Sequence, residues 1–122
     1  STMDKGRPWP YLSVCATSSH DMATARMHWA EGHGGEDMPL EAVSELLYAH
    51  LGSASMLAIF PLQDYLALDG KLRRKDFLNE RINQPADPHH HWRYRVHFDL
   101  HELLKADALN SRMREMFENT ER

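Results

Sequence analysis

Two stretches decide the fold. Tyr11-Leu-Ser-Val-Cys-Ala-Thr17 runs into Ser-Ser-His20-Asp21, and Met56-Leu-Ala-Ile-Phe-Pro-Leu62 runs into Gln63-Asp64. The first is short and rich in apolar and β-compatible residues, which reads as a buried strand. The second is a continuous apolar run of strand length, apolar on both faces, as a parallel strand buried on both sides requires. Polar residues follow each strand at once. Outward from these, Pro8 and Pro10 block helix in an irregular lead-in over residues 1–10. Met22 to Glu31 has good helix formers, with Met22, Arg26 and Trp29 at helical spacing and Asp21 placed to cap the first turn. The glycine-rich stretch from Gly32 to Asp37 is a loop. Pro39 suits a helix start. Leu40, Val43, Leu47 and Leu51 then lie on one face of an amphipathic helix that Gly52 ends.

Beyond Asp64 the chain turns polar. Asp69-Gly70 is a turn signal, 71–87 reads as an extended loop, and 92–98 as a short extended stretch. Asp99, with Glu102 three residues on, is a capping arrangement for a helix whose apolar face is Leu100, Leu103 and Leu104. Asp107 is placed to cap a second helix carrying Leu109, Met113, Met116 and Phe117, and the tail after Glu118 is expected to fray. The order is strand–helix–helix–strand–loop–helix: an α/β chain. Two strands cannot close a barrel, and a two-stranded parallel sheet is a poor core by itself.

At 122 residues the chain is one domain or less. A net charge of −4 gives no pull toward nucleic acid or anionic membrane. No apolar run approaches the roughly 20 residues of a spanning helix, and the polar lead-in lacks the apolar core of a signal peptide. The single Cys15 excludes an internal disulfide and fits a reducing compartment, so a cytoplasmic location is expected.

Taken in order, Ser13-Val-Cys-Ala-Thr-Ser-Ser-His-Asp21, Ser55-Met-Leu-Ala-Ile-Phe-Pro-Leu-Gln-Asp64, Glu80-Arg-Ile-Asn-Gln-Pro85 and Trp92-Arg-Tyr-Arg95 resemble the C-terminal part of the amylomaltase family, the 4-alpha-glucanotransferases, of the plant maltose-pathway and Bacteroidetes type. The resemblance runs from about Tyr11 to near the C-terminus. It implies the last strand–helix units of an incomplete (β/α)8 barrel over 11–98, with a C-terminal helical segment over 99–122. It implies a parent enzyme that moves α-1,4-glucan segments between maltose, malto-oligosaccharides and glycogen through a covalent glycosyl-enzyme, with no metal or organic cofactor. Asp21 matches the family's third acidic residue, which hydrogen-bonds sugar hydroxyls beside the bond that is cut. His20 matches the histidine on the same sugar. The nucleophile and the acid/base lie upstream in the family, and here only Asp4 precedes the His-Asp pair. Retaining chemistry needs both, roughly 5 Å apart, so this chain alone is expected to be inactive. The stretch between Trp29 and Leu40 is shorter and richer in glycine than that resemblance leads one to expect.

Other residues carry weaker signals. Gln63 and Asp64 line the sugar site or else fix the turn after the second strand. Arg81 and Asn83 sit in a polar loop that the family uses near the barrel mouth, with Asn83 a candidate for sugar contact. Trp92, Arg93 and Arg95 read as structural, and Trp9 and Trp29 as packing. Three consecutive histidines, His89 to His91, point in different directions and read as solvated loop rather than a metal site. Arg73, Arg74 and Lys75 read the same way, without motif support for nucleic-acid binding. Surfaces that missing strands should cover imply self-association. Two rival readings remain: a non-catalytic module that grips a partner through its helical faces, and a His-rich metal-binding module.

Overall fold

A computed structural model describes residues 9–122. Most of the lead-in over 1–10, including Asp4, lies outside the described residues. Two three-residue strands, β1 (Val14–Ala16) and β2 (Leu57–Ile59), pair in parallel with Cys15 opposite Ala58. The connection between them carries α1 (Ala25–Gly32) and α2 (Leu40–Leu51). Parallel pairing demands such a crossover, since the second strand must return to the starting edge. After β2 come α3 (Leu62–Leu66), a 3-10 turn at Phe77–Asn79, a second at Leu100–Lys105, and α4 (Asp107–Asn119).

Helix α2 has the expected bounds, from Pro39 to Gly52. Its Val43, Leu47 and Leu51 stripe is buried with Ala25, Met38, Phe60, Ala67 and Met116. Burying one such leucine contributes about 1.5–3 kcal/mol. Helix α4 lies against α2, placing Leu109 and Met116 in the interior. Arg112 reinforces the pair, donating from Nη2 to Ser44 Oγ at 2.6 Å with its guanidinium over the Tyr48 ring. Between α1 and α2, Gly34 and Gly35 adopt φ of +65° and +85°, which a side chain would oppose.

Several expectations give way. The first helix begins at Ala25, three residues later than Met22, and Thr24 caps it instead of Asp21. The cause is long-range: Asp64 takes the Ala25 N–H, and Thr24 Oγ1 takes that of Met27. Pro61 starts a short helix where a strand end and loop were expected, so Gln63 and Asp64 are helical. The 92–98 stretch forms no ladder, and Leu100 and Leu104 face outward rather than into a core. Ala106, not Asp107, holds the cap position of α4. The strands are not buried on both sides within this chain, since Val14, Leu57 and Ile59 are exposed.

The C-terminal tail is tied down rather than frayed. The Arg122 guanidinium donates to the carbonyls of Leu51, Ser53, Ser55 and Met56, the segment joining α2 to β2.

Candidate functional site

His20 and Asp21 sit in the turn just beyond the C-terminal end of β1. His20 Nε2 lies 3.2 Å from Asp21 Oδ2, and both side chains are about half exposed, 56% and 50%. From 62 residues along the chain, Asn83 Nδ2 donates to Asp21 Oδ1 at 2.6 Å. The Asn83 backbone N–H donates to the His20 carbonyl at 3.1 Å. Arg81 holds that loop in turn, donating from Nε to the Asn83 carbonyl at 2.8 Å and approaching the Asp21 carbonyl at 3.5 Å. Each Asp21 oxygen thus has one protein partner on an exposed side chain. A carboxylate accepts at about four lone-pair positions, so capacity remains to accept hydroxyl donors from outside.

Trp92 adds an aromatic wall. Its indole is 61% exposed, with its centroid 5.2 Å from the His20 ring. Trp92, read from the sequence as structural, is thus exposed beside His20. The loops beyond Asn83 also border a cavity of about 320 Å³ walled by Arg81, His90, His91, Arg93 and Arg95.

Gln63 and Asp64 do not join the open site. Both are buried, at 4% and 1% exposure. Asp64 Oδ2 accepts from the hydroxyls of Thr17 and Ser18, the latter at 2.8 Å, while Oδ1 accepts the Ala25 N–H at 3.0 Å. Gln63 Nε2 donates to the Glu80 carbonyl at 3.3 Å. Sugar contact by these two side chains, one of the two sequence readings, is not what their burial and bonding provide. Their helix packs them beneath the turn, Asp64 facing protein donors and Gln63 a backbone acceptor.

A buried ion-pair cluster, which the sequence reading missed, lies next to these residues. Arg26, at 1% exposure, donates to both Asp37 oxygens (2.8 and 2.7 Å), to Glu80 Oε1 (2.7 Å) and to the Arg74 carbonyl (2.7 Å). Glu80 also accepts from Thr24 Oγ1 at 2.9 Å. Burial holds the Glu80 carboxyl above the ordinary range against the pull of Arg26. At Asp37 partial burial acts in the same upward sense, but the Arg26 hydrogen bonds and charge outweigh it and hold the carboxyl low. The sequence held one signal, an arginine on the apolar spacing of α1. Arg73 and Arg74 are not a solvated cluster either: Arg73 donates to the Met38 carbonyl and Arg74 pairs with Asp76. His90 Nε2 lies 2.9 Å from the Ile82 carbonyl. Among the described residues no group of three or more His, Cys, Asp or Glu side chains is arranged to hold a metal, and no helix is long and apolar enough to cross a membrane.

Residues 2–101 match the family described as 4-alpha-glucanotransferase. The chain is 35% identical over 124 aligned residues to 4-alpha-glucanotransferase DPE2 of Oryza sativa subsp. japonica, covering 88% of this chain and 13% of that protein. It is 29% identical over 120 residues to the 4-alpha-glucanotransferases of Chlamydia caviae and Chlamydia trachomatis, covering 87% of this chain and 23% of each. The chain therefore spans well under a third of the length of these curated relatives.

Proposed function

The chain belongs to the 4-alpha-glucanotransferase family, and on that premise we propose that it forms the sugar-binding edge of a retaining glucan-transfer site. Residues 11–98 are the terminal strand–helix units of a (β/α)8 barrel, and 99–122 a helical segment that braces them. Barrel enzymes build their sites at the C-terminal ends of the parallel strands, and the turn after β1 presents His20 and Asp21 there. The enzyme so completed moves α-1,4-glucan segments between maltose, malto-oligosaccharides and glycogen.

In this reading Asp21 is the third carboxylate. It accepts hydroxyl hydrogen bonds from the sugar at the reacting centre, and these strengthen as the ring flattens toward an oxocarbenium-like transition state. His20 and Asn83 bind the same sugar and fix the Asp21 carboxylate. Gln63 and Asp64 serve from beneath. The nucleophile and the acid/base come from sequence outside this chain. Asp37, Asp64 and Glu80 do not substitute for them, because each is already bonded to protein donors. Carboxylates and hydroxyl donors suffice for this chemistry without a cofactor.

One observation carries the reading: the half-exposed His20 and Asp21 meet the partly buried Asn83 at the end of a parallel strand although 62 residues separate Asp21 from Asn83. The alternative, a module gripping a partner through its Leu40–Leu51 and Leu109–Phe117 faces, is weaker because α2 and α4 already pack together, with Val43, Leu47, Leu51 and Met116 buried in one cluster. Exposed Leu12, Val14, Leu57, Ile59 and Leu104 give the isolated chain an apolar surface that favours self-association.

The test is glucose release from maltotriose by the purified chain, with an intact-mass check on the same sample. No release is expected. Turnover by a sample of the correct mass would mean that a complete carboxylate pair lies within these 122 residues.

A further inference from the structure

We propose that Asp64 is the positioning residue of the site: a buried carboxylate that closes the loop bearing His20 and Asp21 by holding both of its ends. This rests on the reading of Asp21 as a sugar-binding carboxylate. The geometry is specific. Where the chain leaves β1, Thr17 and Ser18 both donate their hydroxyls to Asp64 Oδ2. Where it enters α1, the Ala25 N–H donates to Oδ1 at 3.0 Å. The two oxygens of one carboxylate thus bracket the intervening turn, residues 19–24.

A second tie acts at the same exit, where Thr24 Oγ1 donates to the buried Glu80. Glu80 precedes Arg81 and Asn83, the residues that reach Asp21 from the other side. Gln63, the neighbour of Asp64, donates to the Glu80 carbonyl. Helix α3 therefore fixes both the turn that carries Asp21 and the loop that carries Asn83. Three donors converge on one buried carboxylate, and hydrogen bonds to a carboxylate are stronger than those between neutral groups. A turn held at both ends keeps its carboxylate aimed, while His20 inside the turn and Asn83 outside it each meet one Asp21 oxygen. Asp64 touches no substrate in this role.

The experiment is heteronuclear NMR of the 122-residue chain as it is, compared with Asp64→Asn and Ser18→Ala. The readouts are the Asn83 side-chain amide, which reports its bond to Asp21, and the Trp92 indole N–H beside His20. Val43 and Leu47 of α2 and Leu109 of α4 serve as reporters of the core. The expected result for Asp64→Asn is collapse of the Asn83 and Trp92 signals toward solvent-exposed positions while the core reporters stay in place. Ser18→Ala, which removes one donor of three, should give a smaller shift in the same direction. Unmoved Asn83 and Trp92 signals in folded Asp64→Asn overturn the proposal. So does loss of the core signals in both variants, which would make Asp64 a general folding determinant. Titration of the unsubstituted chain with maltoheptaose is read separately. Shifts at Asn83 and Trp92 support the sugar-site reading, and their absence counts against that reading while the substitution series still decides the role of Asp64.

Discussion

Asn83 donates its side-chain amide to Asp21 at 2.6 Å, joining the loop after α3 to the turn after β1. A hydrogen bond to a charged acceptor contributes about 1.5–3 kcal/mol when its partner is held in place. In an enzyme carrying this segment together with the upstream carboxylates, Asn83→Ala should lower kcat/KM for maltotriose disproportionation by roughly 10- to 100-fold, since each 1.36 kcal/mol is about a factor of ten. The melting temperature should move little, because the pair is exposed. Steady-state kinetics beside a thermal melt checks both. A loss of stability without a loss of rate would make the bond a loop tie only.

Removing Arg26 should be the most damaging single change outside the apolar core. Its buried guanidinium pairs with the buried Glu80 and with the partly exposed Asp37. Breaking a buried pair by deleting one partner costs about 3–5 kcal/mol. Arg26→Met is expected to fall in that range by urea unfolding. Arg26→Met with Glu80→Gln should recover a substantial part, because no buried carboxylate is then left facing an apolar side chain.

Asp37 sets an acid limb. Its carboxyl is held below the ordinary value by Arg26 against the cost of partial burial. In the window between the folded and unfolded values the unfolded chain binds more protons, so stability rises with pH. Its contribution is full above about pH 3.9, the ordinary aspartate value, and is lost as pH falls through the lowered folded value. Thermal melts from pH 2.5 to 6 should show this limb, and Asp37→Asn should flatten it. An identical limb in the variant would assign acid sensitivity to other groups.

Arg122 anchors the end of the chain on four carbonyls between α2 and β2. Two of those bonds are exposed and two part-buried, so each counts for less than a fully buried one. Arg122→Ala should cost about 1–2 kcal/mol in total and speed hydrogen exchange around 51–56. Unchanged exchange there would show that the tail contributes nothing to that segment.

What the sequence disclosed and what it hid follow from range. Helix α2 was legible to the residue because its stripe, its proline and its terminal glycine are all local signals. The apolar period of Leu109, Met113, Met116 and Phe117 was enough to place α4. His20, Asp21 and Asn83 were legible only through ordered motifs, and their meeting across 62 residues is a tertiary fact. The start of α1 was misplaced because its cap donors are governed by Asp64, 39 residues away. Arg26 was overlooked because an arginine at an apolar helical position signals burial only when its acids, Asp37 and Glu80, are known to converge. Arg122 looked like a fraying terminus because its partners are backbone carbonyls, which carry no sequence signature.

Asp21, as proposed above, is the transition-state-binding carboxylate of a glucan-transfer site. The most direct measurement is maltotriose disproportionation by an enzyme carrying this segment with both upstream carboxylates, native against Asp21→Asn. Hydrogen bonds that strengthen in the transition state contribute several kcal/mol, so kcat should fall by about 100-fold or more while the fold is retained. A folded Asp21→Asn enzyme with kcat near the native value would contradict the account and leave the His20–Asp21 pair as a structural turn.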